Sequence, residues 1–570
     1  MQDRFHIAAA LKEIGRLLGL KGENPFKVRA YERAARALEQ LQGDLDTLVN
    51  ERRLTEIGGI GSALAAVIEE IDRTGHSGLL EQLRRELPPG AIELSAIPGL
   101  SLKKIIALHN ALQVVTVAEL KAACAQGLVG KVKGFGQKTE AKVLAEIEKL
   151  EKPESRILLD RALEEGQRLL QHVRAAPEVV EADIAGSLRR RKESVGNIKI
   201  VAASKHPKAV IDHFLRFPAF AQCVEQDGDR CIAQFAGGLR AQLNVAAPSN
   251  YIPTLHYWTG SKAHCAKLQE LARAQGLSLE PHVLRGSGNK RLAVKDETEI
   301  YHRLTLHHIP PELREDDGEI EAAAAGTLPV PVTLEDIQGI THCHTTYSDG
   351  QNSVEEMALA AEAMGMKYLT ITDHSPSAFY ARGVKIDRLM TQWDEIDRVQ
   401  GMVKIKLLRG TESDILENGS LDYPDRILEQ FDIIIASIHV RAKMDRDQMT
   451  HRIVQAIQSP FFKVWGHPLG RLIQSRPPLE CRMEDVLDAV AESRAAIEVN
   501  GDPRRLDLEP RWIRAARERG IKFIISTDAH SVRSLRNLQH GVSMARRGWL
   551  ARDEVLNTMN TEDFRKAVHP

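Results

Sequence analysis

Six cysteines in 570 residues leave little material for a disulfide framework. Cys124, Cys223, Cys231, Cys265, Cys343 and Cys481 are scattered, and no CxxC pair occurs. Reduced thiols are expected, as in a reducing compartment. No apolar run is long enough to span a bilayer, so no membrane attachment is expected. The opening residues, MQDRFHIAAALKEIGRLL, lack a signal peptide's order of charge, apolar core and cleavage site, which makes the cytoplasm the expected location. Net charge is also missing: a formal value of −1 gives no global pull towards nucleic acid. Local balance differs, because residues 101–150 hold eight lysines against four glutamates, enough for a basic face on a neutral protein.

A hydrophobic content of 43% and a charged content of 27% are those of a soluble globular protein, and the length suggests three or four domains. Residues 1–150 read as helical, with apolar positions at Ile7, Leu11, Ile14, Leu17 and Leu18. Residues 155–245 mix helix with strand, the strand candidates being Asp183–Gly186, Ile198–Ala202 and Leu239–Ala246. A smaller mixed unit follows to residue 308. A proline-rich, acidic and alanine-rich stretch (IPPELREDDGEIEAAAAGTLPVPV) then reads as a linker over 309–334 between two independent bodies. Beyond it, seven apolar runs alternate with amphipathic segments, near Ile337–Thr341, Tyr368–Thr372, Ile405–Leu408, Ile433–Ala436, Lys463–Trp465, Ala496–Val499 and Phe523–Ser526. That alternation predicts parallel strands with crossover helices, arranged as a barrel with its site at the carboxyl face.

Polar motifs cluster at the ends of those runs. They supply His342, His344, Asp349, His374, Glu412, His439, His467, Asp528 and His530. A His-x-His pair on a strand points both rings one way. Imidazole and carboxylate together suit zinc, manganese or iron better than magnesium or calcium. Nine ligands exceed the needs of one ion, so two or three divalent ions are expected, with Glu412 able to bridge a pair. Ions about 3.5–4 Å apart can activate a shared water and steady the attacking and leaving oxygens of a phosphoester. A lone His-Pro or Thr-Asp is usually a cap or a packing residue; seven such motifs in one region are hard to attribute to chance. Arg471, and Arg504 or Arg505, are candidate phosphate contacts.

The segments THCHTTYSDG, TDHS, GTESDI, ASIH, GHPLGR and STDAHS resemble the PHP (polymerase and histidinol phosphatase) domain over about 335–570. The resemblance implies a distorted (β/α)7 barrel holding up to three ions, Mn2+ or Zn2+, on the nine residues above. Among these, His342, His344, Glu412, Asp528 and His530 are the catalytic candidates. One departure is that Ile340-Thr341 precedes the first histidine where the family often has Asp-Leu.

Three glycine turns lie between the N-terminal helices: Ile57–Gly61, Ile97–Ser101 and Lys133–Gly136. A glycine turn opening a helix offers backbone N–H groups that can hold a DNA phosphate without reading its base. They resemble helix-hairpin-helix motifs, with Gly59, Gly61, Gly99, Gly134 and Gly136 as phosphate contacts and Ser101 standing where a glycine is usual. With NPFKVRAYERAARAL, GSLRRRKESVG and HYWTGSKAH, this half resembles the family X DNA polymerases. That resemblance implies an 8-kDa-like domain over 1–85, a fingers-like domain over 86–152, a palm over 153–250 and a thumb over 251–308, followed by the linker and the PHP domain. Lys27 and Arg29 become DNA contacts. Gly186, Ser187, Arg190, Tyr257, Gly260 and Ser261 become the nucleotide-binding residues.

The family pattern breaks at the palm's metal site. Two aspartates are usual just after Gly-Ser-x-Arg-Arg; Asn197 and Lys199 occupy those positions, and Gln242 occupies the third. An amide is a poor substitute for a carboxylate and an ammonium repels a cation. Mg2+ binding in the palm is therefore in question and polymerase activity is expected to be lost. Ala63 and Val67 stand where a lyase lysine would be, which leaves 5′-phosphate binding to Lys27. The reading that follows is a DNA-repair phosphoesterase. It would remove 3′ nucleotides or cut at abasic sites on gapped, nicked or 3′-recessed duplex, as a monomer in the nucleoid-associated cytoplasm. The alternatives are a working polymerase relying on Asp183 or Glu193, a small-molecule phosphatase, and a non-catalytic scaffold.

Overall fold

A computed structural model describes the chain apart from residues 1–3, 22, 40–47, 50, 88–90, 95, 96, 98, 99, 152–155, 236, 287, 288, 441 and 442. The chain forms two compact units, Met1–Arg156 with Ile211–Gln242, and Ile157–Val210 with Leu243–Pro570.

In the first unit, helices Arg4–Leu20 and Pro25–Glu39 bury Ile7, Leu11, Ile14 and Leu18 against Tyr31, Ala34, Ala35 and Leu38. The three glycine turns share one backbone device. Ile60 N donates to Ile57 O, Leu100 N to Ile97 O and Phe135 N to Val132 O, at 3.0, 3.2 and 2.9 Å. A helix opens directly after each, at Ser62, Leu102 and Gln137. Gly59 and Gly134 adopt φ of +93° and +92°, the left-handed region where a β-carbon is costly. Strands Phe220–Asp227 and Arg230–Phe235 form an antiparallel hairpin in this same unit.

In the second unit, strand Glu181–Ala185 pairs antiparallel with Asn197–Ala203, close to the expected spans. Helices Tyr251–Thr259 and Lys262–Ala274, a three-stranded antiparallel sheet and helix Glu297–Arg303 follow.

The stretch expected to be a linker is instead folded into this unit. Ile309, Leu313, Ile320 and Ala323 are buried in one core with Leu268, Ala272, Ile300 and Tyr301. Its acids are paired: Glu312 with Arg546 at 2.9 Å, Glu315 with Arg190 at 3.1 Å, Asp317 with Arg514 at 3.0 Å and Glu319 with His264 at 2.6 Å. Composition misled here, because the prolines hide an apolar spacing and the partners of the acids lie far away in sequence.

Seven parallel strands then run in chain order: β1 (Gly339–Ile340), β2 (Tyr368–Ile371), β3 (Lys406–Asp414), β4 (Ile433–Ser437), β5 (Val464–Trp465), β6 (Ala496–Asn500) and β7 (Phe523–Ser526). The segments after β1 and β7 meet. Thr527 N donates to Thr341 O, Ala529 N to His342 O and His344 N to Ala529 O, at 3.3, 3.1 and 2.8 Å. These bonds close the (β/α)7 ring at its carboxyl end. β3 is longer than expected, so Glu412 lies within the strand rather than beyond it.

A candidate metal centre at the barrel seam

All nine sequence-predicted ligands come together. Glu412 is their hub. Its Oε2 lies 2.9 Å from His374 Nδ1, 3.4 Å from His342 Nε2 and 3.6 Å from His344 Nε2. Its Oε1 lies 2.7 Å from His467 Nε2 and 3.2 Å from His439 Nε2. Asp528 Oδ1 is 3.4 Å from His344 Nε2 and 3.7 Å from both His342 Nε2 and His530 Nδ1. Asp349 Oδ1 is 3.4 Å from His530 Nε2 and 3.6 Å from His374 Nε2. Three overlapping groups could each hold a cation: His344, Asp349, His374 and His530; His342, His344 and Asp528; His374, Glu412 and His439. Among the described residues, these are the only such groups. The side chains of Asp349 and His530 are 36% and 32% exposed, whereas Glu412 and both histidines of the His-x-His pair are buried. The cage therefore opens on the Asp349–His530 side.

The donor set fits divalent cations. His342 Nε2, His344 Nε2, Asp349 Oδ1, Glu412 Oε2 and His439 Nε2 are buried without a hydrogen-bond partner. Such atoms are costly unless something compensates them. An outer layer fixes the rings, as second partners of ligating histidines do. Glu498 bonds His342 Nδ1 at 2.5 Å, and Asp414 meets His439 Nδ1 at 3.1 Å. His530 Nδ1 lies 2.9 Å from the Asp528 carbonyl. Asp373 is no ligand: it accepts from Thr345 N, Thr345 Oγ1 and Gln392 Nε2 at 2.6–2.7 Å and so shapes the loop carrying Asp349. Three of the candidate ligands, His342, His467 and Asp528, have φ of +59°, +23° and +46°. Left-handed backbone at ordinary residues costs about 1–3 kcal/mol each and clusters at functional sites.

The electrostatics follow from the crowding. Burial opposes charge on His439, but Glu412 and Asp414 outweigh it and raise its pKa to about 10. Burial likewise opposes charge on His530, yet Asp349 and Asp528 bring it up to about 9. His344 falls to about 3, through burial first and then its neighbours His530 and His374. Against burial, His530 and the other rings hold Asp349 down at about 2.

The arginine expectations need correction. Arg471 is buried, and its guanidinium is committed to Arg505 O at 2.8 Å, Glu509 at 3.0 Å, Glu193 at 2.7 Å and Leu506 O. It braces the fold and does not face the cage. Arg504 is exposed and turns back onto Asp502 at 2.8 Å. The next residue, Arg505, reaches the cage: its Nε lies 3.0 Å from Asp528 Oδ2. Glu498 and Asp414 are site residues that the sequence motifs did not mark as such, whereas Arg505 is one of the two arginines offered there as alternatives. Strand alternation offered a signal for Asp414, two residues after Glu412 on β3.

The palm turn is built differently. Arg190 donates to Thr259 O and pairs with Glu315, and Arg189 pairs with Glu297 at 2.7 Å. This brings Gly186, Ser187 and Arg190 beside Gly260 and Ser261, whose N donates to Arg314 O at 3.0 Å. Tyr257 is half-buried. Lys199 lies along Gly186, with its Nζ 4.8 Å from the Trp258 ring. Asn197 shares its strand, and Gln242 is buried on strand Arg240–Ala246. Glu193 is committed to Arg471.

In the helical unit, Lys27 is exposed, 3.6 Å from Glu23, and Arg29 lies over the Phe26 ring at 5.1 Å. Gly61, Gly134 and Gly136 face open space, so their backbone is accessible. Gly99 lies outside the described residues.

Fold and site together define a phosphoesterase barrel joined to DNA-polymerase-like domains. Family models match as a helix-hairpin-helix domain over 3–77, a SAM-like helix-hairpin-helix tandem over 91–149, the DNA polymerase beta thumb over 254–315 and the PHP domain over 341–502. The thumb match runs into the stretch expected to be a linker, in keeping with its packing. The chain is 33% identical over 561 residues to the DNA polymerase/3′-5′ exonuclease PolX of Bacillus subtilis (strain 168), covering 98% of each. It is 28% identical over 235 residues to a probable phosphatase of Thermoanaerobacter sp. (strain X514), covering 38% of this chain and 89% of that one. The chain therefore belongs to the family X DNA polymerases that carry helix-hairpin-helix, thumb and PHP domains. It is a DNA-binding protein and an enzyme with a divalent-metal-dependent hydrolase domain. No helix among the described residues is long and apolar enough to cross a membrane.

Proposed function

We propose that the PHP barrel is a 3′–5′ exonuclease that also cuts at abasic sites, acting on gapped, nicked or 3′-recessed duplex in DNA repair. The observation that carries this reading is Glu412, within 3.6 Å of five histidine rings and central to two or three cation positions. The nine ligands are His342, His344, Asp349, His374, Glu412, His439, His467, Asp528 and His530, and the nitrogen-rich set favours Mn2+ or Zn2+. Ions held there supply Lewis acidity and acidify a water. The chain's own residues do the rest. Glu498 and Asp414 fix the ring orientation of His342 and His439. Arg505 reaches the same edge of the cage as Asp528 and offers a charged fork to a phosphate oxygen. Asp349 and His530, at the mouth, meet the substrate first. The helix-hairpin-helix turns grip the DNA backbone irrespective of sequence. A monomer in the nucleoid-associated cytoplasm suits this work.

The same reading holds that the palm no longer polymerises. The observation favouring it is Lys199, an ammonium packed along Gly186 where the family carries a metal-binding carboxylate. The decisive experiment is metal analysis joined to nuclease assays on 3′-recessed, gapped and abasic duplexes, with His342→Ala and Asp528→Ala alongside. Bound metal and 3′ digestion that both vanish in the variants support the reading; digestion unaffected by them sinks it. Robust template-dependent primer extension with Mg2+ or Mn2+ would sink the polymerase half. The likeness of 38% of the chain to a probable phosphatase favours a second reading, a small-molecule phosphatase. Faster turnover of histidinol phosphate than of 3′-labelled DNA would favour it.

A further inference from the structure

Beside the cage, the loop after β2 exposes two aromatic side chains. Phe379 is 81% and Tyr380 57% exposed. The Tyr380 ring lies 6.4 Å from the His374 ring and 6.3 Å from that of His439, both candidate ligands. Phe379 stands against it at 6.1 Å and 78°.

The loop is held firmly while these rings project. Val384 N donates to His374 O at 2.7 Å and Gly383 N to Ala378 O at 3.1 Å. Ser377 bonds Asp422 through its N at 2.6 Å and Asp414 through its Oγ at 3.0 Å. Ala378, Ala381 and Val384 are buried beneath, and Gly383 packs so close to Ser375 that no β-carbon would fit. Arg382, Lys385 and Arg388 follow, all exposed, against one exposed acid, Asp387. Exposed rings on a rigid base, followed by cations and set beside a phosphoester site, are the chemistry that holds unpaired nucleotides.

We propose that Phe379 and Tyr380 are the stacking platform for the terminal base of a DNA 3′ end, and that they seat its phosphate at the cage. This rests on the nuclease reading above. Stacking on an aromatic face accepts every base, so the platform sets preference for an unpaired end without setting sequence.

The test compares two 3′-recessed duplexes, one ending in a normal nucleotide and one ending in an abasic tetrahydrofuran residue, with Mn2+ present. The protein should show a KM about tenfold lower for the end that carries a base. Phe379→Ala with Tyr380→Ala should bring the two KM values together, and Tyr380→Trp should keep them apart. Equal KM values in the unaltered protein, or a difference that survives the double substitution, would overturn the platform and leave the nuclease standing. No digestion of either end by the unaltered protein would overturn the nuclease reading and the platform with it.

Discussion

Two clusters of ionisable side chains lie at strand ends in the second unit, and they are built in opposite ways. In the barrel cage, carboxylates and imidazoles face one another with buried polar atoms left unmatched. At the palm turn, arginines pair with acids within the protein: Arg189 with Glu297, Arg190 with Glu315, Arg314 with Glu297. The first arrangement needs an external cation, and the second has closed on itself. A strand-end cluster is thus poised for ligand or locked for structure according to whether its charges are satisfied from inside, and residue identity alone does not distinguish the two.

The contrast can be broken at several points. The largest effect should come from stripping metal with a chelator. Nuclease activity should fall below detection and return on adding Mn2+; activity that persists in metal-free protein would erase the distinction. Glu412→Gln should follow, with a loss of kcat on the order of 1000-fold and at least one metal equivalent lost by elemental analysis. That scale is about 4 kcal/mol of transition-state stabilisation. Glu498→Gln should weaken metal binding by about 10–100-fold, the range for an outer partner of a ligating histidine, read by competition with a chromophoric chelator. Arg471→Ala sharpens the comparison from the locked side. It leaves Glu193 without its cation and Glu509 with Arg511 alone, and it removes the buried guanidinium's bonds to two carbonyls, so the thermal midpoint should drop while KM for DNA holds. The smallest effect should come from Gly134→Ala, where a left-handed backbone costs about 1 kcal/mol. DNA affinity in a fluorescence titration should fall a few-fold, with the barrel's metal content untouched.

Much of this was legible in the sequence. The seven strands follow from alternating apolar runs, and the candidate ligands from polar residues at or near their ends, because both patterns are local. The hairpin turns were legible for the same reason. What escaped depended on distance through space. The supposed linker read as solvated because its acids pair with Arg546, Arg190, Arg514 and His264, all remote in the chain. Glu498 gave no sign of bonding His342, which lies 156 residues earlier. Nor could spacing reveal that His342, His467 and Asp528 adopt left-handed backbone, since neighbours in the fold impose that conformation.

By itself, then, the order of residues determined the donor atoms available to the barrel, the strands that carry them and the uncharged or basic side chains of Asn197, Lys199 and Gln242. Only the tertiary structure decided which arginine meets the cage. Arg471, Arg504 and Arg505 look alike on paper, yet the first is bound on all sides, the second turns to Asp502, and the third reaches Asp528. The reason is electrostatic: a guanidinium's role is set by the nearest uncompensated charge within a few ångströms, and chain folding chooses that neighbour.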